Sequence, residues 1–255
     1  MHGGWSSLWQ ACGEALMRGI SNASQPVGEQ DKMSTRAVVF DLDGTLVDTA
    51  PDLTRATNHV LALYGRRPVS KIDVRGMVGL GGRALIRRGF AATGDPVEED
   101  QIEKLFRLFL EFYAANIVID STLFPGTKEL LDLCRERGIR LGICTNKPEA
   151  LSRTLIGGLG LSGYFGAIVG MDTISIAKPD PRIYGETLRQ LNVNGGRTVM
   201  IGDSETDVLT ARAAGVPMIA VTFGYTPKPV KEFGPDYLVD HYDDMWPVIE
   251  RVLHS

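Results

Sequence analysis

Two aspartates lie two residues apart at the end of an apolar run. Residues 37–40 predict a β-strand, and Asp41 and Asp43 follow it directly. Ligands of open parallel sheets bind at the carboxyl ends of strands, where both carboxylates would meet them. One carboxylate can attack phosphorus and form an aspartyl-phosphate, while the second can protonate the leaving oxygen. Gly44 would let the backbone approach the transferring group. The alternative is a plain turn at Asp43-Gly44, with Asp41 capping the next helix.

A second group of residues has the properties of a phosphate cradle. Thr145 and Asn146 follow a predicted strand at residues 140–144 and precede Pro148, which is typical of a helix start. Hydroxyl and backbone N–H groups at such a position can bind phosphate oxygens. Lys178 precedes a proline and could neutralise phosphate charge. The ordinary alternatives are helix capping by Thr145 and Asn146, and a solvated surface position for Lys178.

A third group supplies oxygen ligands for a metal ion. Asp203 and Asp207 follow a predicted strand at residues 198–201. Mg²⁺ prefers one or two carboxylates together with phosphate and water. Ser204 and Asp207 also have the spacing of a helix capping box, so a structural role is open to Asp207 as well.

The elements that position these groups alternate between short β-branched runs and helical patterns, which predicts a parallel sheet. The predicted strands are residues 37–40, 140–144, 167–169, 198–201 and 218–221. Residues 51–123 show several helical patterns instead, with a glycine-rich turn at 76–82. We therefore predict an α/β fold, a doubly wound, mainly parallel sheet of residues 34–50 and 124–255, with a helical cap at 51–123 inserted after the first strand. Residues 1–33 predict a separate amphipathic helix and linker, and the alternative is that Met33 is the native start of the protein.

The composition is that of a globular protein with a substantial core. Of 255 residues, 44% are hydrophobic and 23% charged, which argues against disorder. The formal charge of −4 gives no general attraction for nucleic acid or an anionic membrane, and no apolar stretch is long enough to span a bilayer. The cysteines Cys12, Cys134 and Cys144 form no C-x-x-C pair, which favours a reducing, cytoplasmic compartment. We expect a monomer or homodimer whose partner is a small phosphorylated metabolite, with no nucleic acid and no membrane.

Taken together, the three groups resemble the motif set of the haloacid dehalogenase superfamily. The matching segments, in chain order, are Asp41-Leu42-Asp43-Gly44-Thr45, Thr145-Asn146, Lys178-Pro179, and Gly202-Asp203 with Asp207. The resemblance covers about residues 36–254 and implies a Rossmann-like core with a C1-type helical cap.

The resemblance also implies roles for these residues. Asp41 would be the nucleophile and a Mg²⁺ ligand, and Asp43 the general acid/base that also offers its backbone oxygen to the metal. Asp203 would be a further metal ligand, and Asp207 would bind the metal through water or support its ligands. The phosphoryl group would be held by Gly44, Thr145, Asn146 and Lys178. An acid at Asp43 favours phosphoryl transfer over halide displacement.

Three further segments, residues 46–53, 79–83 and 222–225, are similar to the phosphoglycolate phosphatase branch of the superfamily. Gly81, Gly82 and Arg83 could form an anion site over a substrate carboxylate, and the alternative is a turn with Arg83 exposed. The resemblance implies hydrolysis of 2-phosphoglycolate to glycolate and phosphate. Another sugar-phosphate or nucleotide phosphatase, a sugar phosphomutase and a non-catalytic module remain open. Against the last, clustered buried acids are costly to keep without a metal.

Overall fold

The computed structural model describes residues 36–79 and 81–254. The strands are β1 (Arg36–Phe40), β2 (Val47–Asp48), β3 (Thr122–Leu123), β4 (Arg140–Cys144), β5 (Ala167–Val169), β6 (Arg197–Gly202), β7 (Met218–Val221) and β8 (Tyr237–Val239). The helices are α1 (Ala50–Leu63), α2 (Lys71–Arg75), α3 (Gly82–Thr93), α4 (Ile102–Ala115), α5 (Thr127–Glu136), α6 (Glu149–Gly158), α7 (Pro181–Gln190), α8 (Glu205–Ala214) and α9 (Met245–His254).

A parallel sheet of six strands, in the order β5-β4-β1-β6-β7-β8, forms the centre. All five predicted strands are present, with ends that differ by at most one residue from those read off the sequence. Three strands were not predicted. β2 and β3 are two-residue strands that pair antiparallel, and β8 has three residues, of which Leu238 is 46% exposed. Such short, partly exposed strands leave too little pattern to recognise.

Both faces of the sheet are buried. Val38 and Phe40 pack on one face with α5, α6 and α9, while Ala37 and Val39 pack on the other with α7 and α8. Because helices cover both faces, the strands are continuously apolar and do not alternate with polar residues. The predicted doubly wound α/β fold is confirmed.

Helices α1 to α4 lie between β2 and β3 in the chain, where the sequence predicts a helical cap. The buried carboxylate of Asp52, in the first turn of α1, fastens the two ends of this insert. It accepts hydrogen bonds from the backbone N–H groups of Ile119, Asp120 and Ser121 at 2.9–3.2 Å. Charge-assisted bonds of this kind are among the stronger ones in proteins, so Asp52 sets where the insert leaves and rejoins the core. The cap limits of 51–123 remain a prediction.

Further predictions concern the N-terminal residues, membrane-spanning helices and the cysteines. The helix and linker predicted for residues 1–33 lie outside the described residues. Within the described residues, no helix combines the length and the apolar character that crossing a bilayer requires. Cys134 and Cys144 are both buried and free.

Candidate active site

The parallel sheet brings the three groups of polar residues to one edge. In the register of the sheet, Phe40 of β1 pairs with Ile143 of β4 and Ile201 of β6. Asp41 comes next in the chain, and its N–H donates to the Ile201 carbonyl at 2.8 Å. Thr145 and Asn146 follow β4, Lys178 lies between β5 and α7, and Asp203 follows β6. Asp207 lies in the first turn of α8. Because β1, β4, β5 and β6 are parallel neighbours, their carboxyl ends bring all three groups together around Asp41.

Lys178 lies between two of the aspartates. Its ammonium is 2.7 Å from Asp41 Oδ1 and 2.6 Å from Asp207 Oδ1, and its side chain is 2% exposed. The alternative of a solvated surface lysine is therefore wrong. Asn146 fixes the lysine's backbone, because its Oδ1 accepts from the Lys178 N–H at 2.8 Å and its Nδ2 donates to the Lys178 carbonyl at 3.2 Å. The Asn146 side chain thus positions Lys178, and phosphoryl binding by Asn146 remains a prediction for its backbone amide.

Asp203 has a hydrogen-bond donor on each carboxylate oxygen. The Thr45 hydroxyl donates to Oδ1 at 2.9 Å, and the Tyr225 N–H donates to Oδ2 at 2.6 Å. Gly44 makes this packing possible, since its φ is 88° and a Cβ there would lie 2.7 Å from Asp203 Oδ2 and 2.9 Å from the Tyr225 ring. The glycine is therefore required by the fold of the site, whether or not it also contacts a phosphoryl group.

Asp207 has the capping-box geometry that its spacing predicts. Its Oδ2 accepts from the Ser204 N–H at 3.0 Å, while the Ser204 hydroxyl accepts from the Asp207 N–H at 3.4 Å. One carboxylate oxygen from each of Asp41, Asp203 and Asp207 lies within 4.8 Å of the others. Asp207 therefore caps α8 and also takes part in an acidic cluster that could hold a metal ion.

Burial controls the charge of this cluster. Desolvation raises the pKa of Asp41, and the nearby Lys178 offsets this only in part. Desolvation, then the negative charges of Asp207 and Asp41, raise the pKa of Asp203. The charge of one lysine thus does not offset the effect of burial on the pKa of Asp41 and Asp203. Hard oxygen ligands with uncompensated negative charge fit a divalent cation, which would supply the missing positive charge.

Asp43 faces a second buried lysine that sequence reasoning missed. Lys147 Nζ is 3.0 Å from Asp43 Oδ1 and 3.3 Å from Oδ2, and it donates to the Tyr113 hydroxyl at 2.7 Å. Tyr113 belongs to α4, so this contact joins the insert to the core. The one available signal for Lys147 was its place directly after Thr145 and Asn146. Tyr113 resembles any other member of the apolar stripe of α4, and nothing in its spacing marks it.

A cavity of about 130 Å³ lies between the sheet edge and the insert. The core contributes mostly polar side chains to its lining, namely Asp41, Asp43, Thr145, Asn146, Lys147 and Lys178. The insert contributes mostly apolar ones, including Leu53, Val78, Leu85, Phe106, Phe109 and Leu110. The cavity is small beside those that hold drug-sized ligands.

Arg83 lines the cavity but is already paired. Its Nε and Nη2 donate to the two carboxylate oxygens of Glu103 at 2.6 and 2.9 Å, and its guanidinium lies 4.2 Å from the centre of the Phe106 ring. Gly81 precedes α3 with a φ of 82°, and a Cβ on Gly82 would lie 2.6 Å from Phe106. The structure therefore places all three predicted cap residues at the cavity, while carboxylate binding by them remains a prediction.

Comparisons with known proteins agree with the motifs. Residues 35–215 match the family of haloacid dehalogenase-like hydrolases. A phosphoglycolate phosphatase of Mesorhizobium japonicum is 46% identical over 211 residues, which are 83% of this chain and 93% of that protein. One from Caulobacter vibrioides is 45% identical over 208 residues, 82% of this chain and 88% of that protein. The crystal structure of a predicted phosphoglycolate phosphatase from Haemophilus somnus superposes with a TM-score of 0.78 at 26% identity, covering 85% of this chain and 99% of that one.

These matches span the whole candidate site. The segment that matches the family begins before Asp41 and ends after Asp207, so it includes every residue of the acidic cluster and both buried lysines. The resemblance drawn from the motifs is confirmed, and so is the prediction of an enzyme. The chain belongs to the haloacid dehalogenase-like hydrolases.

Proposed function

We propose that the protein is a Mg²⁺-dependent phosphomonoesterase that forms an aspartyl-phosphate and hydrolyses 2-phosphoglycolate. The observation that carries the phosphatase proposal is the convergence of Asp41, Asp43, Asp203 and Lys178 at one end of the sheet. Phosphoglycolate as the substrate is supported by the names of the relatives and by a cavity of about 130 Å³, which suits a small ester.

In the first step, a carboxylate oxygen of Asp41 attacks phosphorus. Lys178 Nζ lies 2.7 Å from Oδ1, and in this proposal the other oxygen, Oδ2, acts as the nucleophile. The P–O bond to glycolate breaks as the aspartyl-phosphate forms, and Asp43 gives its proton to the leaving oxygen. Glycolate then leaves as the first product.

In the second step, Asp43 acts as a base. It takes a proton from a water molecule, whose oxygen attacks the phosphorus of the aspartyl-phosphate. The bond to Asp41 breaks, inorganic phosphate leaves, and both aspartates return to their starting states. Lys178, held by Asn146, contributes a positive charge next to the phosphoryl oxygens throughout, together with Thr145 and the backbone at Gly44.

The metal ion would be held by the carboxylates of Asp41 and Asp203 and by the backbone oxygen of Asp43, with Asp207 supporting them or binding through water. When bound, Mg²⁺ supplies positive charge that stabilises the transferring phosphoryl group. We further propose that the protein acts in the cytoplasm as a monomer or homodimer on a small metabolite, without nucleic acid or membrane.

A panel of phosphate esters tests this function. Phosphate release is measured from 2-phosphoglycolate, hexose phosphates, nucleotides and pyrophosphate, with and without a chelator, and Asp41→Asn serves as the inactive control. We expect the highest kcat/KM for 2-phosphoglycolate and no turnover after chelation. A preference for another ester would replace the substrate, and isomerisation of a hexose phosphate without phosphate release would identify a mutase instead.

A further inference from the structure

Lys147 places a second positive charge in the cavity, apart from Lys178. Its side chain is 5% exposed, and within the described chain Asp43 is its one carboxylate partner within ion-pair distance. The ammonium lies against the Asp43 carboxylate and donates to the Tyr113 hydroxyl, and both contacts stabilise its positive charge. Keeping a charge out of water is costly, and a single partly exposed aspartate compensates it incompletely.

Tyr113 has an unused donor beside this charge. Its hydroxyl accepts a hydrogen bond from Lys147, and no acceptor for its own proton lies within reach anywhere in residues 36–79 and 81–254. Burial raises the pKa of Tyr113 to about 12, so the phenol keeps that proton at neutral pH. The residue lines the active-site cavity. The proton of its hydroxyl is therefore available to a ligand oxygen bound there.

The position of this pair matches one part of the substrate. In 2-phosphoglycolate, a single methylene separates the carboxylate from the ester oxygen that becomes the leaving group. The residue proposed to protonate that oxygen is Asp43, whose carboxylate is 3.0 Å from Lys147 Nζ. A carboxylate one methylene away from this oxygen can therefore reach Lys147 and Tyr113. Arg83, by contrast, would first have to leave Glu103.

We propose that Tyr113 and Lys147 form the subsite for the substrate carboxylate. The Tyr113 hydroxyl donates a hydrogen bond to it, and the Lys147 ammonium supplies the positive charge. This inference rests on the proposed hydrolysis of 2-phosphoglycolate and names the residues that select it. It also explains why α4 of the insert reaches the core at this point, since the subsite is complete only when both are in contact.

The test compares 2-phosphoglycolate with ethyl phosphate, in which a methyl group replaces the carboxylate. Tyr113→Phe removes one oxygen atom and should lower kcat/KM for 2-phosphoglycolate by about 10- to 100-fold, the usual cost of a hydrogen bond to a charged group. Ethyl phosphate should lose much less, so the ratio of the two constants falls at least about 10-fold. Lys147→Met should lower the ratio in the same direction, on top of a loss common to both esters because Asp43 also loses its partner.

One control variant and three contrary outcomes make the result decisive. Tyr64→Phe, a tyrosine on the exposed side of the insert, is the matched control and should leave the ratio unchanged. Equal losses on both esters in Tyr113→Phe and Lys147→Met would overturn the subsite, since the pair would then act through Asp43 alone. A fall in the ratio for Arg83→Ala but not for Tyr113→Phe would also overturn it, in favour of carboxylate binding by Gly81, Gly82 and Arg83.

The wild-type enzyme separates failure of the subsite from failure of the proposed substrate. If it hydrolyses ethyl phosphate but not 2-phosphoglycolate, the proposed substrate is wrong and the subsite is wrong with it. Should Lys147→Met not fold, Tyr113→Phe still gives the answer.

Discussion

The active-site cavity has two ends, each built around a buried lysine, and their partners differ. Lys178 lies between two carboxylates, Asp41 and Asp207, and all three residues belong to the core at the carboxyl edge of the sheet. Lys147 has one carboxylate, Asp43, and a phenol, Tyr113, which comes from the insert. At the Lys178 end the carboxylates thus outnumber the lysine, whereas at the Lys147 end one carboxylate faces one lysine.

In the proposed function, this difference assigns the reaction to the Lys178 end of the cavity and the selection of the substrate to the Lys147 end. At the Lys178 end the excess negative charge calls for a cation, which suits phosphoryl transfer, a reaction common to all phosphate esters. At the Lys147 end a charge and a free donor are available to a ligand anion, next to the apolar side chains of the insert. In the proposed function, the sheet edge supplies the phosphoryl-transfer step, and the contact between the insert and the core selects the ester.

The largest effect should come from removing the nucleophile at the Lys178 end. Asp41→Asn leaves an amide that cannot form the aspartyl-phosphate, so turnover should fall by at least about 10⁴-fold on every ester. Phosphate release under saturating Mg²⁺ measures this, and circular dichroism checks that the fold is kept. Near-normal phosphate release by the variant would exclude Asp41 as the nucleophile.

Asp43→Asn should have a smaller effect that depends on the leaving group. Loss of a general acid typically costs about 10²- to 10⁴-fold, and less when the leaving oxygen needs no proton. Turnover of an aryl phosphate with an acidic phenol should therefore fall much less than turnover of 2-phosphoglycolate. A loss of the same size on good and poor leaving groups would contradict the assignment and make Asp43 a partner of Lys147 only.

The acidic cluster predicts a pH-dependent stabilisation by Mg²⁺. Because burial raises the pKa of Asp41 and Asp203, the folded metal-free protein keeps protons that the unfolded chain releases above about pH 4. The stability from these groups is present at low pH and is lost as pH rises through the raised pKa values. A bound cation removes that loss, so Mg²⁺ should raise Tm more at about pH 8 than at about pH 5.

Thermal melts with Mg²⁺ and with chelator at both pH values measure this stabilisation. At a Mg²⁺ concentration of about 100 Kd, binding contributes about 2.7 kcal/mol, which corresponds to a shift of roughly 5–10 °C for a chain of this size. Asp203→Asn is the control and should remove most of the shift. Equal shifts at the two pH values would argue that the aspartates are ionised without the metal.

The smallest effect is expected where the insert meets solvent. The side chains of Arg83 and Glu103 are 42% and 61% exposed, and exposed ion pairs contribute little to stability. Arg83→Ala should therefore change Tm by less than about 2 °C. A larger drop, seen also in Glu103→Gln, would show that this pair holds α3 against α4 and that the insert depends on it.

Much of the Lys178 end of the cavity could be predicted from the sequence. Five strands and the positions of Asp41, Thr145 and Asp203 after them follow from local patterns, because buried parallel strands are short apolar runs and their ends converge on one edge. The capping box of Ser204 and Asp207 is equally local, since it depends on a spacing of three residues.

The contacts at the Lys147 end of the cavity were decided by the tertiary structure alone. Lys147 meets Asp43 across 104 residues and Tyr113 across 34, and Arg83 meets Glu103 between two helices. Helical periodicity reports which face of α4 is apolar, but it does not say which residue of that face reaches a lysine on the core. That depends on how the insert packs back over the sheet, which Asp52 helps to set through the distant backbone of residues 119–121. Sequence spacing records contacts within an element, whereas contacts between elements are fixed only when the whole chain has folded.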